Sequence, residues 1–134
     1  MRPTLGSLTS GFGARWGTIH SGINIGSNSS VDPIVASADG IVSRSYKSTS
    51  YGETVFIKHN IDGQVYTTVY AHMVSSSRRL FEGEEVAKGQ VIGIKGTTGK
   101  SFGVHLHFEI HQGEWYYNKT NAVDPIGYGL LKWE

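Results

Sequence analysis

Apolar and polar positions alternate over short stretches of the chain, and one stretch shows the pattern without a break. From Val104 to His111, each apolar residue is followed by a histidine or a glutamate. Successive side chains of a β-strand point to opposite faces, so the four apolar residues share one face and the three histidines and Glu109 share the other. The pattern predicts a strand whose polar face either lines a functional site or meets solvent at a sheet edge.

Two hairpins are predicted around Asp-Gly pairs, because this dipeptide favours the positive φ angles of a tight β-turn. The predicted pairs are Thr54–His59 with Gln64–Tyr70 around Asp62-Gly63, and Ile34–Ala38 with Gly40–Val42 around Asp39-Gly40. Val91–Ile94 adds a short buried strand. The short strands predict an all-β fold, a small antiparallel β domain.

Composition supports this fold class and excludes several functions. The chain has 134 residues, which fits one domain spanning 1–134, and its 18 glycines against 3 prolines suit tight turns. The absence of cysteine excludes disulfides and thiolate zinc sites. A net charge of +1 gives no footprint for nucleic acid, and no apolar run is long enough to cross a membrane. We therefore expect a domain that binds neither nucleic acid nor membrane. We also expect the domain to be monomeric.

Histidine is the residue type that remains conspicuous. His105 and His107 lie on one face of the predicted strand, about 6–7 Å apart at the backbone, so their rings could reach a common Zn²⁺. His20 and Asn24 would be about 13 Å apart in a straight strand, and Gly22 offers a bend between them. His72 ends the second predicted hairpin, on the same side as Tyr70.

These residues resemble the LytM/lysostaphin-type zinc endopeptidases of peptidase family M23, in four blocks that occur in order. His20-x-Gly22-x-Asn24 is similar to the family's H-x-G-x-D motif, and Tyr70-Ala71-His72 to its Y-A-H. The other two blocks are Ser10-Gly11-Phe12-Gly13-x-Arg15 and the segment from Gly83 through Thr98-Gly99 to His105-Leu106-His107-Phe108-Glu109. The resemblance extends from about Ser10 to Ile110, most of the chain.

The resemblance implies an antiparallel β fold of the duplicated-hybrid-motif or barrel-sandwich kind, with an open substrate groove and one Zn²⁺ at its floor. His20, Asn24 and His107 match the metal ligands, and His72 and His105 match two catalytic histidines beside the metal. Three protein ligands leave one coordination position open, as a catalytic zinc site requires. The implied reaction is hydrolysis of peptide bonds in bacterial peptidoglycan, in stem peptides or cross-bridges. One histidine would act as the base and the other would stabilise the oxyanion, in an order that the sequence leaves open.

Several further expectations follow from the matched motifs. Tyr70 and Glu109 are candidates to hydrogen-bond the metal ligands without contacting the metal themselves. His59 and His111 match no motif and are expected at the surface. The first residues contain no apolar stretch typical of a secretory signal. We therefore expect a domain from a longer cell-wall hydrolase or phage lysin, acting outside the cell, at the cell wall or on a virion.

Asn24 departs from the family motif, which has aspartate at this position. Asparagine offers only a neutral carbonyl oxygen, so Zn²⁺ with His20, His107 and Asn24 would keep a formal charge of +2 and bind weakly. The substitution fits a natural weak-metal variant, a natural non-enzyme or a deliberate inactivation.

Two other functions compete with a peptidase. One is a catalytically degenerate module that binds the cell wall or activates an amidase, which Asn24 favours and the four retained histidines of the motifs oppose. The other is a lipoyl or biotinyl carrier domain, suggested by Gly83–Gln90. A carrier needs a modifiable lysine in M-K-M or D-K-A, and neither sequence occurs.

Overall fold

A twisted antiparallel sheet forms the centre of the molecule. The computed structural model describes residues 1–15, 18–27, 32–101 and 103–126, and of residues 14, 15, 18 and 19 it describes the backbone. The strands are β1 (Leu8–Ser10), β2 (Gly13–Arg15), β3 (Thr18–His20), β4 (Ile23–Gly26), β5 (Pro33–Val35), β6 (Gly40–Ser48), β7 (Gly52–Ile61), β8 (Gln64–Met73), β9 (Glu85–Val86), β10 (Val91–Ile94), β11 (His105–Gln112) and β12 (Ala122–Val123). Within the described ranges the helical structure is one 3₁₀ turn at Ser75–Ser77, and no helix there could span a membrane. The all-β prediction is confirmed.

The main sheet has the order β1-β4-β11-β8-β7-β6-β9, with β12 also paired to β11. Two smaller sheets, β10-β5 and β2-β3, complete the described strands. The predicted hairpin of β7 and β8 is confirmed, and Asp62 and Gly63 both adopt positive φ at its turn. The sheet places β11 between β4 and β8, and three residues of its polar face are buried: His107, Glu109 and His111.

The alternation of side chains divides the core into two parts. Leu106, Phe108 and Ile110 of β11 pack into the larger cluster, together with Val55 and Ile57 of β7. The opposite face carries a smaller cluster of Tyr51, Phe56, Val69 and Ala71. This second face is also the one to which His105, His107, Glu109 and His111 point.

The predicted hairpin at Asp39-Gly40 is wrong. The strand β5 pairs with β10, and β6 pairs with β7 and β9. Asp39 instead holds a corner between the sheets: its Oδ1 accepts from the Lys88 amide at 2.7 Å, and its carbonyl accepts from His59 Nδ1 at 2.8 Å. An Asp-Gly pair makes a turn favourable, but the choice of partner strand depends on segments about 50 residues away.

The expected surface position of His59 is also wrong, because its side chain is buried between Asp39 and Thr68. Burial lowers the pKa of His59, while Asp39 opposes that shift and the amino terminus adds to it. Near pH 6.5 the His59 side chain therefore binds a proton in the unfolded chain but not in the folded chain. The free energy of unfolding consequently falls as the pH drops below 6.5. We expect His59→Gln to flatten the dependence of unfolding free energy on pH between 7 and 5, measured by urea titration. Parallel curves for the two proteins would contradict this.

Two glycines at a backbone crossing support the loop beside β11. Gly99 has a φ of +74°, and a Cβ there would lie 2.3 Å from the Gly52 nitrogen. Gly52 has a φ of +67°, and its Cβ would lie 2.3 Å from the Thr98 carbonyl carbon. Only glycine fits both requirements at either position.

We expect Gly99→Ala to lower the free energy of unfolding by about 3 kcal/mol or more, because backbone strain and a backbone clash act together. The matched control is Gly63→Ala, where φ is +82° but nothing lies within 4 Å of the added Cβ. That variant should lose only about 1–2 kcal/mol. Chemical denaturation measures both, and equal losses would show that the crossing can relax.

Candidate active site

One cleft of about 450 Å³ collects the five residues that the sequence motifs single out. Its described lining consists of His20, Asn24, Ser50, Tyr51, His72, Lys100, Ser101, Gly103, His105, His107 and Lys119. The sheet register explains the convergence: His107 of β11 is the cross-strand partner of Asn24 in β4 and of Ala71 in β8. A larger cleft, of about 960 Å³ beside β6 and β9, contains none of the five.

His20 reaches this cleft because the chain bends directly after it. The strand β3 ends at His20 and β4 begins at Ile23, so the extended conformation is interrupted at residues 21–22. A Cβ at Gly22 would lie 2.3 Å from the Phe108 carbonyl oxygen, so glycine lets the chain pass against β11. The bend brings His20 Nε2 to 3.3 Å from His107 Nδ1.

Backbone carbonyls fix the tautomers of three histidines. A carbonyl oxygen can only accept, so each ring nitrogen bonded to one must carry its proton, and the neutral ring then has its lone pair on the other nitrogen. The bonds are His20 Nδ1 to Gly11 O at 2.8 Å, His72 Nδ1 to Thr98 O at 2.7 Å and His105 Nδ1 to Gly103 O at 2.8 Å. All three neutral rings therefore present Nε2 as a base or a ligand.

His107 has the opposite tautomer. Its Nε2 donates to Glu109 Oε2 at 2.7 Å, which leaves the lone pair of the neutral ring on Nδ1. Nδ1 lies 3.0 Å from Asn24 Oδ1 and 3.3 Å from His20 Nε2. Two lone-pair atoms thus lie close to the lone pair on His107 Nδ1, an arrangement that a nearby cation would stabilise.

The distances from His107 Nδ1 to the other two atoms are compatible with a shared metal ion, and the chemistry of the donors fits one less well. Two ligand atoms, each about 2.1 Å from a tetrahedral metal, lie about 3.4 Å apart, close to the 3.0 and 3.3 Å found. The third donor is an amide oxygen. Within the described residues no three His, Cys, Asp or Glu side chains are grouped to hold a metal. The donor set therefore lacks the carboxylate that would strengthen a zinc site.

The only carboxylate in contact with the predicted ligands in the described structure is Glu109, behind His107. Its two oxygens accept from His107, from His111 Nε2 at 2.6 Å, from the Tyr51 hydroxyl at 2.9 Å and from Lys119 Nζ at 3.1 Å. Burial alone would raise the pKa of Glu109, but its hydrogen bonds with His107 and His111 and the charge of Lys119 hold it well below the usual range. The anionic side chain orients the His107 ring through this hydrogen bond.

We expect Glu109→Gln to weaken zinc binding about 10–100-fold, the range found when groups behind metal ligands are removed. The variant should also lose about 2–4 kcal/mol of stability, because an amide places N–H donors against buried donors. The control is Glu114→Gln, which breaks only the exposed ion pair with Lys58 and should cost about 1 kcal/mol at most. Chelator competition and thermal unfolding measure the two effects. Unchanged zinc affinity in Glu109→Gln would assign Glu109 a purely structural role.

His72 and His105 form a second pair in the same cleft, with ring centroids 4.9 Å apart. Burial lowers the pKa of both imidazoles, that of His72 to about 4, so both are neutral at pH 7. His72 also has a φ of +64°, a left-handed conformation that is uncommon outside glycine and costs about 1–3 kcal/mol. Such strain clusters at functional sites, and here it occurs at a residue that lines the cleft.

Three expectations about neighbouring residues have clear outcomes. Glu109 supports a predicted ligand, as expected. Tyr70 does not, because its hydroxyl bonds the Ser37 amide and Thr68 Oγ1 inside the core. The surface position expected for His111 is wrong, since it is fully buried on Glu109.

Tyr51 and Lys119 are two residues of the cleft that sequence reasoning did not identify. The Tyr51 ring stacks on His107 with centroids 6.0 Å apart, and Lys119 Nζ lies 4.6 Å above the Tyr51 ring. Burial raises the pKa of the Tyr51 hydroxyl, and the negative charge of Glu109 raises it further. Both residues belong to loops or loop ends whose side-chain directions follow no periodic pattern, so only the three-dimensional structure reveals them.

The sequence model of peptidase family M23 matches residues 18–125, which include every residue of this cleft. This chain belongs to peptidase family M23. The M23 domain resembles, over 96% of its length and 97% of the other chain, the catalytic domain of the prophage-encoded M23 protein EnpA from Enterococcus faecalis, with 32% identity and a TM-score of 0.75.

Curated relatives of the M23 domain include both enzymes and an activator. The chain is 37% identical over 127 residues to the murein hydrolase activator NlpD of Escherichia coli, covering 94% of this chain and 30% of that protein. It is 42% identical over 78 residues to the peptidoglycan DD-endopeptidase ShyC of Vibrio cholerae, covering 58% and 17%. The chain thus spans less than a third of the length of these relatives.

Proposed function

We propose that this M23 domain is a zinc-dependent endopeptidase that hydrolyses peptide bonds of bacterial peptidoglycan, with activity weakened by Asn24. The observation that carries the proposal is the convergence of His20 Nε2, Asn24 Oδ1 and His107 Nδ1 in one cleft with His72 and His105. The proposal includes a single domain over 1–134 that acts outside the cell as part of a longer cell-wall or virion protein. The peptidoglycan-directed names and greater lengths of two relatives support it, as does the prophage origin of EnpA.

The proposed roles follow from the tautomers. His20, His107 and Asn24 would hold the metal, which supplies Lewis-acid polarisation of the scissile carbonyl and lowers the pKa of the attacking water. One of His72 and His105 accepts the water proton through Nε2 and passes it to the leaving amine. The other, when protonated, donates to the developing oxyanion.

Digestion of purified cell walls tests the proposal. The domain is incubated with peptidoglycan and one equivalent of Zn²⁺, and the released muropeptides are mapped by mass spectrometry. We expect new amino and carboxyl termini at one type of peptide bond, and no cleavage after chelation. Intact peptidoglycan with both the native chain and Asn24→Asp would contradict the proposal.

A second function is favoured by the same asparagine. If the side-chain amide of Asn24 is rotated by 180°, its Nδ2 would donate a hydrogen bond to His107 Nδ1. The lone pair of His107 would then be satisfied without a metal, whereas an aspartate has no such donor. The domain would then bind peptidoglycan, or activate a separate murein hydrolase as the name of the Escherichia coli relative describes. Stimulation of a murein amidase by the metal-free domain, with no cleavage of its own, would support this function.

A further inference from the structure

Two lysines give the cleft a positive charge that is used neither for metal binding nor for proton transfer in the proposed mechanism. Lys119 and Lys100 both line it, and none of the described lining side chains is acidic. At the position where the family motif has a carboxylate, this chain has Asn24. The lining therefore carries two formal positive charges before any cation is added.

Lys119 is held in place. Its Nζ lies 3.1 Å from Glu109 Oε2 and 4.6 Å from the Tyr51 ring, and its backbone has a φ of +55° in a turn closed by hydrogen bonds. An ammonium group has three N–H donors, and Glu109 accepts from one of them, so Lys119 has capacity to bond a ligand in the cleft. Because its position is fixed before binding, little conformational entropy is lost on contact.

Lys100 approaches from a different loop. It is exposed, and its backbone amide donates to the Ser50 carbonyl at 3.0 Å, which anchors the loop beside the cleft. The only carboxylate near the predicted ligands in the described part of the chain, Glu109, is fully buried beneath the lining and shared among four donors. A ligand in the cleft thus meets cations at its surface.

We propose that Lys100 and Lys119 select peptides that carry free carboxylates next to the cleaved bond, over neutral peptides such as glycine bridges. Preferential cleavage rests on the proposed endopeptidase function, whereas preferential binding rests only on the charge of the cleft. Stem peptides with unamidated glutamate or diaminopimelate have such carboxylates. Amidated stem peptides and polyglycine lack them.

The test uses two fluorescent cross-linked stem-peptide dimers that differ only in amidation of the carboxylates flanking the cross-link. Dissociation constants and kcat/KM are measured with the zinc-loaded chain. We expect at least tenfold tighter binding of the carboxylate form at low salt, because each of two charge pairs at about 4 Å contributes about 1 kcal/mol, or about fivefold, even at the dielectric constant of water. The preference should shrink as salt is raised.

Variants identify the residues responsible. Lys119→Gln and Lys100→Gln should each reduce the preference about fivefold through KM, Lys119→Arg should restore it, and the exposed Lys88→Gln outside the cleft should not change it. Equal binding of the two dimers, or a preference unchanged in both glutamine variants, would overturn the proposal. Preferential binding without cleavage of either dimer would support the selectivity and contradict the endopeptidase function.

Discussion

Replacing Asn24 with aspartate is expected to tighten zinc binding at least 100-fold and to raise peptidoglycan cleavage. The reason is one charge: Asn24 Oδ1 already lies 3.0 Å from His107 Nδ1, so a carboxylate oxygen of the same size would take its place without rebuilding the cleft. Even groups behind metal ligands change affinity 10–100-fold, so a direct anionic ligand should exceed that range. Zinc affinity is measured by competition with a chromogenic chelator, and cleavage by release of labelled peptidoglycan.

The matched control is Asn118→Asp, which adds the same charge on an exposed turn outside the cleft lining. It should leave zinc affinity unchanged, which separates ligation from a general effect of net charge. If Asn24→Asp bound zinc no more tightly than the native chain and left cell walls intact, the cleft would not be a peptidase site. The binding or activating function would then replace the peptidase.

Removing either imidazole of the second histidine pair is expected to lower the cleavage rate about 10²–10⁴-fold while zinc affinity stays within a few-fold of the native value. His72 and His105 lie beside each other in the cleft, each with a proton on Nδ1 and a basic Nε2. A proton-transfer group contributes to the rate and not to metal binding. The measurements are kcat on a peptide substrate and zinc titration of His72→Ala and His105→Ala.

His59→Gln is the control for loss of a buried histidine, since His59 lies outside this cleft. Its cleavage rate should be close to that of the native chain. Loss of zinc in His105→Ala would instead identify His105 as a ligand and overturn the assignment of roles. If the native chain is too slow for accurate rates, the same substitutions are compared in the Asn24→Asp background.

Local sequence patterns predicted the structural features that depend on neighbouring residues alone, namely side-chain direction along a strand and the position of a tight turn. The alternation from Val104 to His111 was sufficient to assign each side chain of β11 to a face, because the pleat allows only two directions. The turn at Asp62-Gly63 was equally predictable, since both residues adopt the positive φ that a tight hairpin requires.

Contacts between distant segments could not be predicted in this way. The partner of β5 is β10, more than 50 residues later. No sequence feature of either strand identifies the other as its partner. His59 and His111 are buried because Thr68, the Asp39 carbonyl and Glu109 satisfy their ring nitrogens. The sequence motifs located the ligands of the proposed site, whereas the hydrogen bonds that fix their tautomers became visible only in the fold.

The proposed ligands come from two sheets. Asn24 and His107 are neighbours in the main sheet, whereas His20 belongs to the β2-β3 hairpin, whose described strands pair only with each other. This hairpin leaves the main sheet after β1 and returns to it at β4. An ion bound by both His20 and His107 would therefore link the β2-β3 sheet to the main sheet. The binding free energy of the ion would then favour the arrangement in which His20 lies against the main sheet.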